Sequence, residues 1–355
     1  MRRLLILFFF CATAIPGLAQ KFVYGSYFDY YFDNREFDRS HEKYMESETL
    51  HSVLVAPELG LSFRQGENTE HRVLVGTDIM RDTGSGAKPG DSFREVTVYY
   101  NVRSRFGNGR SFEAAAGVFP RRLLGGSYTR AMWSDAHTFF DMNMEGVLLK
   151  FGSHRLNAEI GCDWMGKYAA NTRERFQIFS AADYRIFSYL HSGWSASFYH
   201  YATSGVAHNV IDNHLFNPWV KGEFRGFTGI FQELSAQIGL LAGYQRSREI
   251  DAKATLPVGA ELITRVKKWN LCLQNSLYAG QDMYHYYSYP APEGGTYGAD
   301  LYPGENTYRG FYDRTELIWT PRITRKIELQ IVAAFHFDGS GYLGCQQAVR
   351  LKLGI

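Results

Sequence analysis

At 355 residues, with 24 Tyr, 26 Phe and a formal net charge of +2, the chain suits one large domain or two ordinary ones. A balance so near zero argues against a nucleic-acid binder that works through a basic field. Gly is plentiful at 35 and Pro scarce at 10, which with the aromatic content describes a strand-rich chain with many tight turns.

Residues 1–19, MRRLLILFFFCATAIPGLA, set two arginines before an apolar run that ends in small residues. That is the layout of a secretory signal peptide cut before Gln20 or Lys21, and the run, broken at Pro16, is too short for a membrane anchor. Cys11 follows Phe8, Phe9 and Phe10 where a lipobox has small residues, so lipidation is not expected. Beyond this segment no stretch reaches the roughly 18 apolar residues of a membrane helix. Cys162, Cys272 and Cys345 are odd in number and suggest no disulfide framework.

The rest reads as about sixteen strands, most near the 9–11 residues that cross a bilayer as a tilted strand. The expected spans are 21–33, 50–63, 71–81, 93–105, 110–119, 145–152, 155–165, 173–186, 190–201, 213–225, 230–244, 256–267, 269–281, 308–320, 325–337 and 344–355. Their side chains alternate. Val53, Val55, Pro57, Leu59, Leu61 and Phe63 share one parity against Glu58, Gly60 and Ser62; Leu156, Ala158, Ile160, Cys162 and Trp164 oppose Asn157, Glu159, Gly161 and Asp163. Further on, Leu234, Ala236, Ile238, Leu240 and Ala242 oppose Ser235 and Gln237, and Ile327, Leu329, Ile331 and Phe335 oppose Glu328, Gln330 and His336. The terminal QQAVRLKLGI places Val349, Leu351, Leu353 and Ile355 on an apolar face and Arg350 and Lys352 on a cationic one.

The connections alternate in length. Gly-Asn-Gly near 105–110, Gly152-Ser153-His154 and Lys267-Lys268 are tight, whereas 34–49, 82–92, 120–144, 202–212, 245–255 and 282–307 are long. Short turns on one rim and long loops on the other describe an up-and-down transmembrane barrel, not a Greek-key sandwich. Charge follows the same division: Glu58, Asp78, Glu95, Glu159, Glu233, Glu261, Arg314, Glu316, Glu328, Arg350 and Lys352 all fall on the polar parity, leaving the apolar parity almost free of mid-strand charge. Soluble cover for sixteen apolar faces would need helices that the pattern does not offer. Trp194, Trp269 and Trp319 fall near the short-turn rim and Trp164 near the other, as in the aromatic girdles of a bilayer.

On these strands, faces and connections the chain resembles the outer-membrane β-barrel proteins of bacteria with two membranes, most closely the sixteen-stranded porin layout. The resemblance is architectural and covers nearly all of the mature chain, expected as one barrel over 20–355. Such barrels usually end on an aromatic residue, where this chain has Ile355. The resemblance implies short periplasmic turns, long extracellular loops, a cell-outer-membrane location and passive diffusion of small hydrophilic solutes through a wet lumen. It also implies that the third long loop, 120–144, folds inward as an eyelet. Arg121, Arg122, Arg130, Asp135 and Asp141 of that loop would face wall charges such as Arg314 and Arg350, and the polar-parity charges named above would line the pore. The rivals are a plug or a structured extracellular loop with a surface partner. The tyrosines of YHYYSYPAPEGGTYG in 282–307 are read as ordinary loop packing, in preference to a surface that stacks on sugar rings or binds a partner.

Catalytic patterns are weak. Asp82-Thr83-Gly84 with Ser85 matches the aspartic-protease triplet, but no second copy supplies the paired carboxylate, and these are ordinary turn residues. His200 with Ser204 raises an outer-membrane lipid hydrolase, without the compact His-x-Ser spacing of such enzymes. The scattered histidines suggest no metal, and no cofactor is expected. The expected partners are therefore the outer-membrane bilayer and small solutes, with a second copy or a surface lipoprotein if the barrel serves as an assembly platform or receptor.

Overall fold

The computed structural model describes residues 20–38, 46–84, 92–224, 229–251 and 253–354. The expected signal peptide at 1–19, Ser85 and Ile355 lie outside them. Sixteen strands follow in order: β1 (Lys21–Phe37), β2 (Thr49–Gln65), β3 (Thr69–Asp82), β4 (Phe93–Arg105), β5 (Ser111–Pro120), β6 (Asn143–Gly152), β7 (Leu156–Gly166) and β8 (Arg175–Phe187). Then come β9 (Leu190–Tyr201), β10 (Ile211–Glu223), β11 (Glu233–Ser247), β12 (Val258–Lys268), β13 (Leu271–Gly280), β14 (Gly310–Trp319), β15 (Ile327–Asp338) and β16 (Gly341–Gly354).

Each strand pairs antiparallel with its neighbours in sequence, and β1 closes the barrel against β16, so no edge is left unpaired. Closure sets Tyr31 opposite Arg350 and Asp29 opposite Lys352 on one side, and Tyr31 opposite Ser52 on the other. That register turns Asp29, Tyr31, Asp33, Leu54, Arg350 and Lys352 inward. Val349, Leu351 and Leu353 point outward, as the tail's alternation predicts. The outer face shows Leu59, Val98, Ile160, Phe198, Ile238, Leu240, Leu273, Leu317 and Phe335, all strongly exposed. An apolar outer band of this kind suits an apolar surrounding.

The turns differ from expectation in detail. The β12–β13 link is Trp269-Asn270, with φ 50° and 67°, so Lys267 and Lys268 remain in the strand. Two positive φ values make the primed turn whose twist matches a two-residue hairpin. Trp269 therefore sits in the turn itself, while Trp194 and Trp319 lie on the outer face near this rim and Trp164 near the opposite one. On the short-turn rim 224–232 and 320–326 are comparatively long, and on the long-loop rim β15–β16 closes tightly through 339–340. There Asp338 Oδ1 accepts from the Ser340 amide at 2.7 Å and Gly341 takes φ 125°.

Outward polarity is not confined to the rims. Asp313 and Thr315 of β14 and Asn275 of β13 share the outer face, where Asn275 donates to Asp313 and Thr315 donates to Asp313 at 3.1 Å. The expectation of an outer parity almost free of charge misses this group, because Asp313 is flanked in sequence by Tyr312 and Arg314, which turn inward.

Candidate functional site, a partly filled lumen

Among the described residues, two connections fold into the barrel. The first, 121–142, leaves β5 through a 3₁₀ turn (Arg121–Leu123), crosses the lumen and returns through α1 (Asp135–Phe140). Ser134 caps α1, its Oγ accepting from the His137 amide at 3.0 Å. On the departure side Arg121 pairs with Asp141 at 2.9 Å and Asp163 at 3.3 Å. Glu159 of β7 accepts from the amides of Gly125 and Gly126 at 2.8 and 2.9 Å and from the Tyr128 hydroxyl at 2.6 Å. Only glycine fits this approach: a Cβ on Gly126 would stand 2.6 Å from the Ala181 methyl and 2.7 Å from Glu159 Oε1.

Across the lumen Arg130 reaches Glu316 of β14 at 2.9 Å, and the Trp133 indole donates to Gln177 of β8 at 3.0 Å. Phe139 stacks on Tyr31 of β1 at 4.7 Å between centroids. The segment is thus fastened to walls that are far apart around the ring.

The second connection, 281–309, carries α2 (Gly298–Leu301) and packs beside the first. Tyr284 donates to the Ala131 carbonyl at 2.9 Å, and the Pro303 carbonyl accepts from the Ser134 amide at 2.9 Å. Arg173 pairs with Glu293 at 2.6 Å, and Tyr302 donates to Gln245 at 2.7 Å. Tyr284, Tyr286, Tyr297, Tyr302 and Tyr308 are all buried in one cluster with Tyr199, Tyr278 and Leu241 of the wall. These tyrosines pack, as the sequence pattern favours.

The predicted wall charges all lie on inward positions, but many are covered. Asp78 and Glu95 both accept from Asn143. Glu159 is covered by the crossing segment, and Glu261 accepts from Tyr308 at 2.8 Å. Arg314 pairs with Glu316 of its own strand at 3.0 Å and with Glu305 of the second connection at 2.8 Å; Arg314 and Glu316 are buried beneath the two connections, and Glu305 is part of what covers them. Arg314 therefore does not face an open lumen opposite the loop charges. Glu58 holds Arg122 at 2.7 Å, Arg350 holds Asp29 at 2.7 Å, and Glu233 holds Arg265 at 2.9 Å. Asp135 pairs with Arg130 at 3.3 Å. Asp29 and Glu305 were not singled out from sequence. The FDYYFDN run carried a signal for Asp29, since Phe28, Tyr30 and Phe32 mark the outer parity; for Glu305, in a connection, no periodicity exists to read.

Two cavities flank the crossing segment on its β1–β16 side, and a third adjoins the second of them at the short-turn rim. An outer one of about 460 Å³ is lined by Arg35, Glu46, Glu48, Asp135, Tyr287 and Glu305 among others. A central one of about 410 Å³ lies between 121–142 and β1, β2 and β16, and shares Asp135 with the first. A third, of about 820 Å³, opens at the short-turn rim beside Lys267, Arg325, Lys326 and Glu328, and shares Tyr27 and Lys352 with the central one.

The suggested catalytic groups are engaged otherwise. His200 Nδ1 lies 2.9 Å from Asp212 Oδ1, while Ser204 Oγ accepts from the Ala207 amide at 3.0 Å. Asp82 accepts from Ser52 at 2.6 Å and pairs with Arg94 at 3.3 Å.

No protein-family model matches this sequence, and no curated protein matches it. Among solved structures the chain is similar to an anion-selective porin from Comamonas acidovorans, 11% identical, over 95% of this chain and 100% of that one, with a TM-score of 0.52. It is also similar to Salmonella typhi OmpF in complex with daunomycin, 10% identical, over 95% and 98% of the two chains, at 0.50. At such identities the likeness is one of fold: this chain is a closed, sixteen-stranded antiparallel barrel of the porin type.

Proposed function

We propose that the exported chain, residues 20–355, is a porin-like channel of the cell outer membrane that passes small hydrophilic solutes by diffusion, narrowed by the inward segment within 120–144. The observation that carries this reading is the succession of three cavities that adjoin at Asp135 and then at Tyr27 and Lys352, past the crossing segment and along the β1–β16 side. The apolar outer girdle supports the bilayer, and the tight turns suit the periplasmic rim. In this reading the chain is not an enzyme: its lumen residues are spent on holding two connections in place.

Liposome swelling tests the proposal. Vesicles carrying the refolded chain are expected to swell in sugars at rates that fall steeply with solute size. No swelling with the smallest sugar, from a barrel verified by far-ultraviolet circular dichroism, would contradict it.

A second reading has its own support. Because 281–309 fills the lumen beside 121–142, the barrel would also serve as a closed platform or receptor for a surface lipoprotein or a second copy. Co-purification of a stoichiometric partner together with absent swelling would favour it.

A further inference from the structure

We propose that the central cavity is an oxyanion station, so that the channel favours small solutes bearing a carboxylate or phosphate group. This rests on the channel reading above. The cavity is lined by five cationic side chains, Arg121, Arg122, Arg130, Arg350 and Lys352, against two carboxylates, Asp29 and Asp135.

Pairing does not cancel this excess where a solute would pass, because the carboxylates sit behind the cations. Arg350 is 21% exposed and its partner Asp29 2%. Arg130 is 25% exposed against 1% for Glu316, and Arg122 29% against 18% for Glu58. In each pair the guanidinium is the member presented to the cavity. Arg121 is buried against Asp163 and contributes less. Asp135, 48% exposed, and Asp141, 42% exposed beside Arg121, show themselves more than their partners, and of the two Asp135 lines the cavity.

Lys352 completes the station. Its register partner Asp29 is already held by Arg350 through contacts of 2.7–3.2 Å, and among the described residues Lys352 makes no hydrogen bond or ion pair. It lines both the central cavity and the inner mouth. The mouth continues the same sign, with Lys267, Arg322, Arg325 and Lys326 against Glu233 and Glu328.

Aromatic rings steady two of the guanidinium groups, Arg122 over Tyr27 at 5.1 Å and Arg350 over Phe139 at 5.6 Å. A planar guanidinium fork matches an oxyanion bidentately, while a lysine adds a point charge. The acidic outer cavity does not reverse the preference. Its Glu48 is paired with Arg35 and its Glu305 with Arg314, and exposed charge is screened over about 8 Å at physiological salt. Selection is made where the path is narrowest and the ion sheds most water.

The test is the reversal potential of the refolded chain in a planar bilayer under a potassium chloride gradient, followed by inorganic phosphate or succinate in the bath. Chloride is expected to be preferred over potassium, and at least one of the two oxyanions is expected to reduce the chloride current. Block by phosphate alone or by succinate alone identifies which oxyanion the station takes. Each of Lys352→Gln and Arg122→Gln is expected to lower the preference roughly two- to fivefold, Lys352→Arg to restore it, and Asp135→Asn to raise it.

Current without anion preference in the parent chain, or a preference unmoved in both glutamine variants, would overturn the station while leaving the channel standing. The absence of any current from a verified barrel would overturn the channel reading and the station with it.

Discussion

Arg130 is the residue on which most of the lumen's order converges. It lies 2.9 Å from Glu316, 3.6 Å from Glu305 and 3.3 Å from Asp135, linking wall, second connection and its own segment. Arg130→Gln would leave Arg314 as the cation paired with Glu316 and Glu305 among the described residues, with Gln274 still donating to Glu316 at 2.8 Å. The expected cost is ~1–3 kcal/mol, read as a lower denaturant midpoint for the barrel in vesicles. An unchanged midpoint would mean that Arg314 suffices.

On the outer face the sign reverses. Asn275, Asp313 and Thr315 set polar groups where the surrounding is apolar, so Asn275→Leu with Asp313→Leu is expected to stabilise the barrel by ~1–3 kcal/mol. A loss of stability in that double variant would show that the group has a use beyond folding. These two cases mark the limit of the sequence at this scale. Strand parity is enough to turn Arg314, Glu316 and Arg350 inward on one face, but Arg130 and Asp29, which also pair there, lie far along the chain. Register alone brings Asp29 to Arg350, and loop conformation alone brings Arg130 to Glu316.

At the scale of elements the strands were legible almost throughout, because an extended chain with one wet and one apolar face must alternate. All sixteen strands overlap their expected spans. β1 runs on to Phe37, since above the girdle its Asn34 and Glu36 no longer need to be apolar. Connections have no such period, and the placement of 281–309 inside the barrel left no trace beyond its tyrosines.

The inward course of 121–142 was an implication of the resemblance, and its physical cause is local: two successive glycine amides and a tyrosine hydroxyl converge on Glu159. Gly126→Val would push a side chain into Glu159 and Ala181 and is expected to free this stretch. Limited proteolysis within 123–133 measures it, with faster cleavage in the variant expected. Equal protection would show that Arg130 and Trp133 hold the segment without the glycine contact.

For the molecule as a whole, closure is what lets a chain with so little net charge keep a charged interior. Sixteen strands leave a lumen wider than side chains alone can fill, and two connections then occupy much of it. In the channel reading, what remains is a path along β1 and β16, through adjoining cavities that are acidic at the long-loop rim and cationic from the crossing segment to the short-turn rim. Sequence pattern reached the closed barrel and its two faces. It could not reach the path, because the path is the space that the connections leave over.

The most direct measurement is single-channel conductance of the refolded chain 20–355 in a planar bilayer, intact and after deletion of residues 123–138. Discrete steps are expected from the intact chain, and larger ones from the deletion. Silence from the intact chain with conduction after deletion would make the segment a plug, and silence from both, with the barrel verified, would contradict the channel.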